Sequence, residues 1–143
     1  MYIKRYSMMA IQILDRIVFV HSKKNIYREI KPENFLIGYR NNSIRKFRSS
    51  RTGKLIRFSL TKRMFGTVRY ITYNISSGFE QSRRDDLESI GYMLIYLIKW
   101  NLPWIDIKLK ADNAFKKYIE MLNLKKTTSP EDLWFGLPSQ FAD

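Results

Sequence analysis

The feature that most constrains the fold is the stretch of residues 85–100, which has the strongest helical pattern in the chain. Its first turn contains Asp85, Asp86 and Glu88, acidic residues that complement the positive end of a helix dipole. Apolar residues follow at the intervals of a buried helix, namely Leu87, Ile90, Leu94, Leu97 and Ile98. Pro103 ends the pattern. These residues therefore predict a long helix with deep burial.

Three further segments have helical character. Residues 7–20 predict an amphipathic helix, followed by a polar turn, with the apolar face Met9, Ile13, Ile17 and Val20. Residues 113–124 predict another, whose packing side is Phe115, Tyr118, Ile119 and Leu122. Ser129 and Pro130 have the residue types of an N-cap and a first helical position. A single, mainly α-helical domain is predicted.

The remaining segments have less regular patterns. Residues 26–37 contain a short β-prone stretch, and Pro32 excludes a continuous helix there. Residues 39–62 are polar and basic, which predicts an exposed loop. Residues 67–73 have a strand-like or extended composition.

Composition excludes several classes of function. The chain has no cysteine and a single histidine, His21, which excludes a disulfide framework, a thiolate site and a multi-histidine metal centre. It has no apolar run near the roughly 20 residues of a membrane span and no signal-peptide core after its basic start. The expected location is the cytoplasm or the nucleus, without membrane association.

The net charge of +13 is unevenly distributed, because no acidic residue occurs between Glu33 and Glu80. Basic residues are dense over residues 40–63. Such a surface attracts anions, including acidic or phosphorylated proteins, and nucleic acid only non-specifically through charge. The alternative interpretation is a solvated basic loop without a dedicated partner.

Charged and polar residues are grouped in the segment Tyr27-Arg-Glu-Ile-Lys-Pro-Glu-Asn-Phe35. It resembles the protein kinase catalytic loop, His-Arg-Asp-x-x-x-x-Asn. In that loop a carboxylate takes the proton of the substrate hydroxyl, a basic residue approaches the phosphate, and an asparagine helps to hold a metal ion. Glu29, Lys31 and Asn34 occupy these places. Read without the kinase pattern, the segment is a surface turn with solvated charges.

Three further motifs occur in order: Gly66-Thr-Val-Arg-Tyr70, Glu80-Gln-Ser-Arg-Arg-Asp-Asp-Leu-Glu-Ser-Ile-Gly-Tyr92 and Leu102-Pro-Trp104. With Lys31-Pro-Glu-Asn-Phe-Leu-Ile-Gly38, they closely resemble the casein kinase I family of serine/threonine protein kinases. The resemblance covers nearly the whole chain and is weakest over residues 39–62 and near the C-terminus.

This resemblance implies a partial protein kinase domain over residues 1–143. It consists of the helical C-terminal lobe without the N-terminal β lobe, with a shortened activation-segment region at residues 39–79 and without the final helices. By the same resemblance Asp86 anchors the catalytic-loop backbone, and Arg69, with Lys108, binds an anion. The implied reaction is ATP- and Mg²⁺-dependent phosphorylation of acidic or pre-phosphorylated proteins.

Several parts of the kinase machinery depart from the family pattern. The chain has no Gly-x-Gly-x-x-Gly sequence and no Asp-Phe-Gly, and no aspartate occurs between Asp15 and Asp85. Glu29 replaces the catalytic aspartate, and Trp100 replaces a glycine of the family pattern. Binding of ATP and Mg²⁺ by this chain is therefore doubtful, and we predict that it has no kinase activity.

Three interpretations remain open at this point. The chain is a truncated or mis-assembled kinase sequence, a pseudokinase that binds acidic or phosphorylated partners through its basic face, or an incidental nucleic-acid binder. The third leaves the ordered motifs unexplained. The oligomeric state is not predicted by the sequence.

Overall fold

The structure is a computed structural model that describes residues 2–37, 44–46, 67–105, 107 and 114–137. It is mainly helical, as the sequence predicts. Its five α-helices within these ranges are α1 (Tyr2–Ser22), α2 (Tyr73–Ser76), α3 (Arg83–Lys99), α4 (Ala114–Thr127) and α5 (Pro130–Trp134). A 3-10 helix at Pro32–Asn34 precedes a two-stranded antiparallel sheet of β1 (Leu36–Ile37) and β2 (Ile44–Lys46), in which Leu36 pairs with Lys46.

The chain forms two compact units, Met1–Leu94 and Ile95–Asp143, with the boundary inside α3. In the first unit the buried apolar side chains come from α1, the loop after it, the α2 region and α3. They are Ile13, Ile17, Tyr27, Ile30, Tyr70, Ile71, Ile75, Ile90, Tyr92, Met93 and Leu94. In the second unit they are Ile95, Leu102, Trp104, Met121 and Leu133.

The predicted helix over residues 7–20 is confirmed, and α1 extends beyond it in both directions. Ile13 and Ile17 are buried, as expected for its apolar face. The helix ends in the predicted polar turn. Lys24 has a left-handed backbone with φ 59, and the Asn25 N–H donates to the carbonyl of Val20, which is the bonding of a Schellman cap.

Helix α3 also matches its prediction, but one of its predicted core residues does not. Leu87 is 46% exposed. The inward side of the first turns is taken instead by buried polar residues, Asp85, Asp86 and Ser89. Further along, Tyr92 is buried and donates to Glu88. Burial and the neighbouring carboxylate raise the pKa of the Tyr92 hydroxyl, since both disfavour the phenolate.

Helix α4 has the predicted position but a different packing side. Phe115 and Ile119 are 71% and 40% exposed, whereas Met121 and Lys125 are buried. Lys125 is buried because its ammonium lies 5.3 Å from the centre of the Trp104 ring, and its aliphatic stem packs as an apolar group. Lys125 lies just beyond residues 113–124, over which the helix was predicted, so it was not among the predicted packing residues.

Two shorter predictions have opposite outcomes. Ser129 caps α5 as expected: its hydroxyl accepts from the Asp132 N–H, and the Asp132 carboxylate accepts from the Ser129 N–H, which completes a capping box.

The strand-like interpretation of residues 67–73 is wrong. The Tyr70 N–H donates to the Thr67 carbonyl at 2.8 Å, which closes a turn, and Thr72 then caps α2 by accepting from the Ile75 N–H. The loop predicted over residues 39–62 lies outside the described residues except for β2.

Among the described residues, no helix is both long and apolar enough to cross a membrane.

Candidate functional site

The candidate site is built around the carboxylate of Asp86 in the first turn of α3. Asp86 is fully buried, and a carboxylate in such a place needs several donors to offset its lost hydration. Four donors meet it: the N–H groups of Tyr27 and Arg28, the side-chain amide of Gln81, and the Nε2 atom of His21.

Each oxygen of Asp86 accepts two of these hydrogen bonds. Oδ2 is 2.7 Å from the Tyr27 nitrogen and 2.8 Å from His21 Nε2. Oδ1 is 2.9 Å from the Arg28 nitrogen and 3.1 Å from Gln81 Nε2. Two consecutive backbone N–H groups can reach one carboxylate only if the chain turns sharply. Arg28 makes that turn with a left-handed φ of 70, which is strained for a residue with a Cβ.

A second contact joins the same loop to the segment before α3. The Arg28 guanidinium donates to the Glu80 carboxylate at 2.9 Å, and both side chains are largely buried. Restricted solvent strengthens this pair relative to an exposed one. Arg28 is therefore held at its backbone by Asp86 and at its side chain by Glu80.

The loop exposes one residue between buried ones. Tyr27 and Ile30 are buried, and the Tyr27 ring lies 5.7 Å from the Phe35 ring, measured between centroids. Glu29, between the two buried residues, is exposed. The loop is thus anchored by apolar side chains and by Asp86 and presents the Glu29 carboxylate outward.

The three residues predicted to carry the chemistry lie in this one turn. Lys31 immediately precedes the 3-10 helix in which Asn34 lies. The Asn34 N–H donates to the Lys31 carbonyl at 3.0 Å, and the Asn34 side-chain amide donates to the Glu29 carbonyl at 2.7 Å. Because the Asn34 nitrogen is used in this way, its Oδ1 oxygen is the atom that could face a cation.

The residues present do not fit a complete magnesium site. Magnesium is held by carboxylates together with substrate phosphates, whereas the Asn34 oxygen is a neutral ligand. In the part of the chain that the structure describes, no group of three histidine, cysteine, aspartate or glutamate side chains could hold a metal ion. The kinase pattern also requires an aspartate as a second metal ligand after the loop, and the sequence has no aspartate between Asp15 and Asp85.

The predicted anion-binding residues are only partly described. Arg69 is exposed, and its guanidinium carbon lies 5.9 Å from the centre of the Tyr70 ring. Tyr70 is buried, so its ring is a fixed surface beside the arginine side chain. Lys108 lies outside the described residues. Trp100, which replaces the glycine of the family pattern, has a left-handed φ of 56, a backbone that glycine adopts without strain.

Asp86, to which the family resemblance assigns the anchoring of the loop backbone, accepts hydrogen bonds from the N–H groups of Tyr27 and Arg28. The sequence-based predictions do not include the other members of the network, His21, Gln81 and the Arg28–Glu80 pair. A signal for them existed: a buried carboxylate requires more donors than two N–H groups, and His21 and Gln81 are polar residues next to buried segments.

A neighbouring network holds Asp85. Its carboxylate accepts from the hydroxyls of Thr72 and Ser82 at 2.8 and 2.6 Å and from the Ser82 N–H at 2.8 Å. Asp85 therefore joins α2 to the start of α3, while Asp86 joins α1 and the loop to it. The adjacent carboxylates have separate partners and separate structural roles.

No protein-family model matches the chain.

Proposed function

We propose that this chain is a casein kinase I-like C-terminal lobe of a serine/threonine protein kinase domain, and that it does not transfer phosphate by itself. The observation that carries the proposal is the set of hydrogen bonds from Tyr27 and Arg28 to Asp86. It joins the predicted catalytic loop to the Glu80–Tyr92 motif, which is the longest of the motifs resembling the casein kinase I family.

The loop keeps the layout needed for kinase chemistry. In a working enzyme, Glu29 would accept the proton of a substrate serine or threonine, Lys31 would approach the transferred phosphate, and Asn34 would contribute to metal binding. Fixing these residues in one anchored turn provides the positioning on which such catalysis depends. ATP and Mg²⁺ would supply the phosphoryl group and the neutralising charge.

Two departures inside the chain argue against turnover. Glutamate is one methylene longer than aspartate, which displaces the carboxylate by about 1 Å, and a shift of this size can cost about 100-fold in rate. The loss of the metal aspartate is more severe, because neither aspartate nor glutamate occurs between Glu33 and Glu80, the part of the chain where the family pattern places it. The first change weakens catalysis, and the second removes a required charge.

Phosphate incorporation into an acidic or pre-phosphorylated peptide, with ATP and magnesium, tests this proposal. We expect no incorporation above the level of Asn34→Ala, and we expect Glu29→Asp to remain equally inactive, because the metal aspartate is still missing. Turnover by the natural chain that disappears in Asn34→Ala would overturn the claim of inactivity. An active Glu29→Asp variant would show that the metal aspartate is dispensable.

The second candidate function is an interaction module that binds acidic or phosphorylated proteins. It is favoured by the exposed Arg69 and by the net charge of +13, since guanidinium makes paired bonds to phosphate. We expect a phosphopeptide to bind without nucleotide, and Arg69→Ala to weaken binding about tenfold, the loss of one charge-assisted hydrogen bond.

Arg83→Ala is the matched control for that measurement, because Arg83 is also exposed and its loss changes the net charge equally. Equal weakening by both variants would contradict a specific Arg69 site. Binding that falls steeply with salt and is shared by any nucleic acid would instead support the purely electrostatic interpretation.

A further inference from the structure

Helix α1 has an exposed apolar stripe on the side away from its buried residues. We call this stripe the α1 seam; its members are Lys4, Met8, Ile11, Asp15 and Val18. Met8, Ile11 and Val18 are 52%, 60% and 62% exposed, and Lys4 and Asp15 are exposed as well. Ile13 and Ile17 account for the packing of the helix within its own unit, so the seam is not explained by the fold.

The spacing of the α1 seam is that of a helix that pairs with another helix. Its members follow one another at steps of four, three, four and three residues, which keeps them in line when two helices wrap around each other. At about 1.5 Å per residue the seam is roughly 21 Å long. Its three apolar members are flanked by two further exposed apolar side chains of α1, Leu14 and Phe19.

We infer that the α1 seam packs antiparallel against the α1 seam of a second copy of this chain. Lys4 and Asp15 lie at equal distances from the midpoint between Met8 and Ile11. A two-fold axis through that midpoint places Met8 against the partner's Ile11 and Lys4 against the partner's Asp15. The apolar centre is thereby flanked on each side by one ion pair between Lys4 and Asp15 of different copies.

The charges of the seam select this direction of pairing. In a parallel pair each residue faces its own copy, so that lysine meets lysine and aspartate meets aspartate, which is repulsive. The antiparallel two-fold arrangement turns both contacts into attractive ones. It is also a closed, self-complementary interface, which stops at the dimer.

The net charge of +13 opposes association of two copies. Salt weakens this long-range repulsion more than it weakens burial of apolar side chains. The dimer is therefore expected to become tighter as salt increases up to about 0.3 M, where the Debye length is shorter than 8 Å. Self-association does not depend on whether the chain transfers phosphate.

Sedimentation equilibrium of the full chain over a range of concentrations tests the inference. We expect a monomer–dimer equilibrium, and we expect Ile11→Glu to be monomeric, because it places two like charges at the centre of the seam. Lys4→Glu and Asp15→Lys should each weaken the dimer about tenfold, since each creates two like-charged contacts across the axis. The double variant Lys4→Glu with Asp15→Lys should restore the natural affinity, because both ion pairs are re-formed with reversed charges.

Arg16→Glu is the matched control, since Arg16 is an exposed residue of α1 outside the seam and the charge change equals that of Lys4→Glu. It should leave the dimer intact. Helix content measured by circular dichroism establishes that each variant is folded. A monomeric natural chain at all salt concentrations, a dimer insensitive to Ile11→Glu, or a double variant no tighter than the single ones would overturn the inference.

Discussion

Asp86 is the residue on which the greatest number of polar contacts in the candidate site converge. Removing its carboxylate by Asp86→Ala leaves buried donors from His21, Tyr27, Arg28 and Gln81 without an acceptor. Breaking a buried polar cluster from one side costs about 3–5 kcal/mol. We expect a loss of that size in the free energy of unfolding, measured by urea denaturation.

Glu120→Gln is the control for this variant, because Glu120 is an exposed carboxylate of α4. Its effect should stay within about 0.5 kcal/mol. A loss below about 1 kcal/mol for Asp86→Ala would mean that water replaces the carboxylate easily and that the loop is not anchored as described.

Trp100 shows how backbone strain can be separated from side-chain contacts. It has a φ of 56 just after α3, and its N–H donates to the Tyr96 carbonyl at 2.7 Å, the arrangement of a helix cap that favours glycine. Its ring also meets the Tyr96 ring edge-on. Both Trp100→Ala and Trp100→Gly remove the ring contact, but only glycine relieves the strain.

We therefore expect Trp100→Gly to be more stable than Trp100→Ala by about 1 kcal/mol, the cost of a left-handed residue with a Cβ. Thermal unfolding of the two variants measures the difference. In an ordinary helical position the order would be reversed, so alanine as the more stable variant would refute the left-handed geometry.

At the scale of elements, α3 contains side chains of the same chemical class in contrasting environments. Met93 is fully buried, whereas Leu87, predicted from the sequence to be in the core, is 46% exposed. Met93→Ala should destabilise the chain by about 2–5 kcal/mol through the cavity that it leaves. Leu87→Ala should cost less than about 1 kcal/mol, since it removes little buried area. Equal losses in urea denaturation would contradict this placement of α3.

The existence of the helices could be predicted from the sequence, because apolar spacing and capping residues are local signals. The helix at α3 and the N-cap at Ser129 are examples. The packing side of α4 could not, because Lys125 is buried through its contact with Trp104, a residue 21 positions earlier. Periodicity counts lysine as polar and has no information about such a distant partner.

The candidate site, too, could be predicted from the sequence only in part. Glu29, Lys31 and Asn34 are close in sequence, and their placement in one turn follows from the loop pattern and Pro32. The donors around Asp86 come from residues as far as 65 positions away, and the left-handed φ of 70 at Arg28 has no local signal in the sequence. A buried carboxylate indicates that hydrogen-bond donors must surround it, but the fold determines which residues those donors are.

At the scale of the whole molecule, the contacts of Asp86 close long loops of the chain. Its partners Tyr27 and Arg28 lie 59 and 58 residues away. The entropy lost on closing a flexible loop grows only with the logarithm of its length. Inserting about 12 glycine and serine residues after Gly53 should therefore lower the free energy of unfolding by only about 0.2 kcal/mol.

The same insertion after Tyr92, inside α3, is the control and should abolish cooperative unfolding, because it interrupts the helix that carries the core. Urea denaturation compares the two insertions. A loss above about 2 kcal/mol for the insertion after Gly53 would mean that this region contributes packing of its own.

The anchoring of the loop by Asp86 also has an evolutionary consequence. Since the anchor depends on the two ends of a long connection and only logarithmically on its length, a lineage can lose residues between those ends without losing the folded lobe. Under the proposed function, a metal ligand located in that connection would be more easily deleted than a scaffold residue. Under the proposed function, the bonds that anchor the loop would preserve the folded lobe after its chemistry is lost, and they would leave a stable surface that selection can use for another purpose.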